Sequence, residues 1–85
     1  MTFQEMVGVA CTRIQQTLPQ DHELDDISCE DNVFQIGIFD ATICPGGSQV
    51  GLFRFCRNAG ETDEELTTRF ENTITNYTNK WRKNS

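Results

Sequence analysis

Apolar residues occupy both strand parities in the centre of the chain. In Val33–Phe39, the side chains of Phe34, Ile36 and Ile38 point one way from an extended backbone and those of Val33 and Phe39 the other. In Val50–Cys56, Phe53 and Phe55 share one side, while Val50, Leu52 and Cys56 share the opposite one. An antiparallel sheet that wets one face alternates apolar with polar positions. This pattern does not, so both faces require cover.

The flanks read as helices. Thr2-Phe3-Gln4-Glu5 has the form of a capping box, with Thr2 as N-cap and Glu5 reaching back to it. Phe3, Met6, Val7, Ala10, Cys11, Ile14 and Leu18 then recur at three- and four-residue spacing, one apolar stripe of a helix that Pro19 ends. Gly8 inside it costs about 1 kcal/mol relative to alanine, which is either the cost of a close approach of backbone to sheet or simply tolerated. Thr62-Asp63-Glu64-Glu65 is a second capping box, and its carboxylates favour a helix N-terminus. Leu66, Phe70, Ile74, Tyr77 and Trp81 follow at helical spacing, and Lys80, Arg82 and Lys83 suit the C-terminal end. Thr67, Thr68, Asn72, Thr73, Thr75, Asn76, Thr78 and Asn79 form an unusually uncharged polar face of this helix. Such residues are mediocre helix formers, so packing on the sheet must hold the helix together.

Between the helices, Gln20–Asp31 is acidic, and Leu24, Ile27 and Cys29 outline a short, imperfect edge strand. Charges along such an edge discourage unwanted pairing. Glu30-Asp31-Asn32 reads as a turn into a strand Val33–Ile43, Cys44–Ser48 as a second turn, and Gln49–Arg57 as the next strand. A hairpin centred on Gly46–Gly47 would set Cys44 opposite Gln49 and Cys56 opposite Gly37. The predicted fold is a single α+β domain over residues 1–85, a two-layer sandwich of helix, two- or three-stranded antiparallel sheet, and helix.

Charge narrows the function. Thirteen acidic against seven basic residues leave a net charge of −6, the wrong sign for direct binding to nucleic acid or to an anionic membrane surface. Met1–Leu18 has no positive n-region or unbroken apolar stretch, so a cytoplasmic location is expected. The four cysteines then read as reduced and mostly buried thiols, with Cys56 an inert one on its strand. They lie eighteen, fifteen and twelve residues apart with no CxxC pair, a spacing unlike that of structural zinc. Asp21, Glu23 and Asp25 mimic the start of a calcium loop, but Asp26 stands where the turn glycine belongs and Asn32 where the bidentate glutamate belongs. His22, the one histidine, reads as a residue of a solvated loop with no fixed base or nucleophile partner. No metal, cofactor or catalytic constellation is expected.

What remains is binding. The leading expectation is a non-enzymatic, acidic protein-binding module that acts as a homodimer, with Val33, Phe39, Leu52 and Trp81 as contact anchors, or Phe34, Phe53 and Phe55 instead if the helices cover the other parity. A narrower alternative is a phage-type stoichiometric inhibitor of a nucleic-acid-binding enzyme, in which Asp25, Asp26, Glu30 and Asp31 imitate phosphate. A third is a small chaperone or adaptor for a client protein. The acidic, dimeric helix–strand–helix plan resembles loosely that of type III secretion chaperones, a likeness of plan that carries no residue motif or site.

Overall fold

The computed structural model describes residues 1–42 and 48–83. Five elements follow in order: α1 (Phe3–Thr17), β1 (His22–Cys29), β2 (Val33–Asp40), β3 (Ser48–Cys56) and α2 (Asp63–Lys83). The strands form one antiparallel sheet in the order β1-β2-β3, and both helices pack on it. This is the α+β helix–sheet–helix arrangement that the sequence predicts, with three strands.

Local chemistry sets the helix ends. The Glu5 backbone N–H donates to Thr2 Oγ1 at 3.2 Å, and the Thr2 N–H donates to Glu5 Oε1 at 2.9 Å. The Thr2 backbone N–H first, and its hydroxyl second, hold the Glu5 carboxyl below the ordinary carboxylate range. Leu18 is the C-cap in extended geometry, as the residue before Pro19 must be. Thr62 and Glu65 repeat the same reciprocal contact at the start of α2.

The acidic segment folds further than its sequence predicts. It is not a short strand beside a loop but the eight-residue edge strand β1. A bulge interrupts its pairing between Asp25 and Ser28, and Asp26 adopts a left-handed φ of 52° there. Asp and Asn tolerate that region better than most residues, and a bulge twists an edge away from foreign strands.

β2 is shorter than the sequence predicts, ending at Asp40 rather than Ile43. The Asp40 carboxylate accepts from the Thr42 N–H at 2.9 Å and from the Thr42 hydroxyl at 2.6 Å, closing a side-chain turn that competes with the ladder. These bonds also lower the Asp40 pKa. The register also differs from the expected hairpin: Cys56 lies opposite Val33, not Gly37, and an irregularity falls between Ile38 and Phe39. The expected turn at Cys44–Ser48, apart from Ser48 at the start of β3, falls outside the described residues.

The helix-covered face is Phe34, Ile36, Ile38, Phe53 and Phe55, all buried against Phe3, Met6, Ala10 and Ile14 of α1 and Leu66, Phe70 and Ile74 of α2. Thr78, expected on the polar face of α2, is buried, with its hydroxyl donating to the Ile74 carbonyl at 3.0 Å. Gly51 has a steric role. A Cβ there would stand 2.9 Å from the Trp81 ring and 3.1 Å from the Tyr77 hydroxyl. Gly8 has none: it is exposed, and a Cβ would meet nothing within 4 Å, so close approach to the sheet is not its reason.

Two glycine substitutions should therefore act in opposite directions. Gly8→Ala is expected to stabilise the fold by roughly 0.5–1 kcal/mol through helix propensity. Gly51→Ala is expected to cost about 1–3 kcal/mol by overpacking under Trp81. Urea denaturation followed by circular dichroism measures both.

Candidate functional site

The ladder register separates the anchors. Glu23 pairs with Phe39, Asp25 with Gly37, Leu52 with Gly37, Arg54 with Gln35 and Cys56 with Val33. Paired residues share a face, so these side chains occupy the side of the sheet away from the helices. Val33 and Phe39 are half-buried there, while Val50 and Leu52 are exposed at 42% and 46%. Phe39 folds down over its neighbour: a Cβ on Gly37 would stand 2.8 Å from the Phe39 ring and 2.9 Å from the Asp25 carbonyl. The open face is thus a low apolar surface of Phe39, Leu52, Val50 and Val33.

Trp81 is not part of it. It packs on the helix side, half-buried, above Gly51 and with its ring 5.5 Å from His22 in an edge-to-face contact. His22 is correspondingly no loop residue: it begins β1, half-buried, and its Nδ1 is buried with no hydrogen-bond partner among the described residues. The thiols also differ from expectation. Cys11 is half-buried, and burial raises its pKa, but Cys29 and Cys56 are exposed. Cys56 surfaces because the covered parity of β3 belongs to Phe53 and Phe55. Cys44 lies outside the described residues.

The acidic candidates gather at the other rim. Asp25 and Asp26 form the β1 bulge, and Glu30 and Asp31 lie in the turn to β2. All four are exposed, and none is ion-paired among the described residues. The paired carboxylates lie elsewhere, Asp63 with Arg57 at 3.8 Å and Glu61 with Arg69 at 2.8 Å. No group of three His, Cys, Asp or Glu among the described residues is arranged to hold a metal ion.

Arg69 is a fixture that sequence reading missed. Its Nε and Nη2 each donate to the Glu61 carboxylate at 2.8 Å, Nη2 also donates to the Cys56 carbonyl, and the guanidinium lies 4.4 Å from the Phe55 ring centroid. The signal was present only as an acid eight residues before an arginine, a spacing no local rule selects. Val50 was visible by parity. Arg54 and Lys80, which share a groove with Tyr77, were not, because that proximity joins a strand to a helix.

Comparison with protein families, with curated proteins and with solved structures finds no match. No helix among the described residues is long and apolar enough to cross a membrane.

The Glu61–Arg69 clamp gives the fold an acid limit. The hydrogen bonds from Arg69 hold the Glu61 carboxyl down to about 2, against an ordinary 4.5. A depressed folded pKa contributes stability that is complete above the unfolded value and lost as pH falls through the folded one. The melting temperature should therefore decline between pH 4.5 and 2. Glu61→Gln should be less stable at pH 7 and decline less steeply across that window in thermal scans.

Proposed function

We propose that the chain is a non-enzymatic protein-binding module that pairs with a second copy through the open sheet face. The observation that carries this reading is the apolar surface of Phe39, Leu52, Val50 and Val33 on the side without helices. Exposed apolar side chains gathered on one face mark interaction surfaces more often than scattered ones do. The position of His22, edge-on to Trp81 with Nδ1 buried, supports a structural rather than catalytic part for the one histidine. The working compartment in this reading is the cytoplasm, which suits exposed, free Cys29 and Cys56.

The unpaired carboxylates at the β1 rim support a second reading, inhibition of a nucleic-acid-binding enzyme by charge imitation. Asp25, Asp26, Glu30 and Asp31 are exposed together with no cation engaged among the described residues. A basic groove would supply those cations, and the contact would weaken with salt.

Light scattering across a dilution series tests the first reading. The wild-type chain should run at twice its monomer mass, and Leu52→Asp or Phe39→Asp should weaken the dimer at least about tenfold. Dimers unchanged in both variants would refute it. For the second, added chain should release labelled DNA from a susceptible DNA-binding enzyme in a salt-sensitive manner. Replacing Asp25, Asp26, Glu30 and Asp31 with their amides should abolish that release.

A further inference from the structure

The outer edge of β3 carries a second and independent opportunity. The Arg57 N–H donates to the Asn32 carbonyl at 2.8 Å, so Asn32 and Arg57 form a hydrogen-bonded pair of the antiparallel ladder. Alternation makes Phe34/Phe55 and Ile36/Phe53 hydrogen-bonded pairs as well. Leu52, Arg54 and Cys56, at the intervening positions, turn their backbone N–H and C=O groups outward.

α2 caps the two ends of this exposed ladder. Arg69 donates to the Cys56 carbonyl, and the Tyr77 hydroxyl stands over Gly51, 3.1 Å from where a Cβ would lie. Between these caps the Arg54 peptide groups point into a groove of about 390 Å³ between β3 and α2. Thr73, Asn76, Tyr77 and Lys80, spaced as one face of α2, form its far wall. Its charged residues are Arg54, whose side chain leaves the strand on the open face, and Lys80 of α2 on the helix side, one on each flank. Neither is ion-paired among the described residues, in a chain whose net charge is −6.

We propose that this groove takes an extended acidic segment of a partner protein, which adds to β3 as a fourth strand. The Arg54 N–H and C=O supply the central main-chain hydrogen bonds, and Arg54 and Lys80 receive carboxylates of the added segment. Strand addition of this kind draws affinity from the backbone and selectivity from side chains beside the edge. The uncharged Thr73 and Asn76 offer hydrogen-bonding side chains without repelling an anion. A second copy is a poorer occupant. Antiparallel β3–β3 pairing centred on Arg54 would set two arginines directly opposite, which destabilises a sheet.

A labelled Glu–Val hexapeptide with two adjacent glutamates at its centre, one for each face, titrated with the wild-type chain and followed by fluorescence anisotropy, tests the assignment. The expected result is saturable binding that weakens at least about tenfold in Arg54→Glu and in Lys80→Glu. Binding should vanish when alternate peptide amides are N-methylated on the bonding edge, and the Arg54 amide should exchange more slowly in the complex. Phe39→Asp, at a position paired with Gln49 five residues along β3 from Arg54, should bind as wild type even where its dimer is lost, which separates this groove from the open-face reading. Equal binding of a Lys–Val hexapeptide would overturn the proposal, as would no binding of the Glu–Val peptide at millimolar concentration. Slow exchange at Arg54 in a wild-type dimer without peptide would overturn it in favour of edge-to-edge self-pairing.

Discussion

The fold depends on one ring. Phe34, near the start of the middle strand β2, lies 5.5 Å from Phe3 of α1, 6.0 and 5.8 Å from Phe53 and Phe55 of β3, and 6.2 Å from Phe70 of α2. A single side chain on the middle strand thereby touches both helices and the neighbouring strand. Truncating a buried phenylalanine costs about 3–5 kcal/mol. That is a large share of the stability of a domain this small, roughly 5–10 kcal/mol. Aromatic edge-to-face geometry adds direction to the burial, so the cluster selects which parity of the sheet turns toward the helices.

Once that parity is chosen, the rest of the surface follows. The same helices cannot cover the opposite face, and Val33, Phe39, Val50 and Leu52 stay on it. Phe39 reduces the exposure by lying across Gly37, a glycine whose missing side chain makes room for the ring. The two sheet edges are managed differently. β1 carries a bulge and unpaired carboxylates, both of which discourage an added strand. β3 is flanked by Arg69, which binds the Cys56 carbonyl, and by Tyr77 over Gly51, which leaves a short interval beside Arg54 and Lys80 between them. Charge is thus segregated across the sheet, with anions along β1 and the Arg54–Lys80 pair beside β3.

Tyr77 shows how closely packing and groove are linked. Burial raises its pKa, while hydrogen bonds with Trp81 and with the Leu52 backbone pull it back. The same hydroxyl stands over Gly51, so a core requirement for a small residue positions a group at the rim of the groove. Arg69 plays the matching part at the other end, with its guanidinium over Phe55 and its donors shared between Glu61 and Cys56.

Local sequence determined both helices, their capping boxes and the stop at Pro19, because caps and periodicity act within a few residues. It also determined that the central strands are apolar on both sides, since strand parity is intrinsic to the backbone. Of the candidate anchors, Val33, Phe39 and Leu52 share a face for that reason. Tertiary structure alone decided that this face is the uncovered one, that Trp81 belongs to the opposite layer, and that the acidic run is a full edge strand. It also decided the hairpin register, which sets Cys56 opposite Val33 rather than Gly37. The Arg54–Lys80 groove lies furthest from the sequence. Its two cations come from different elements, and which residues meet across a strand and a helix is set by packing rather than by any local spacing.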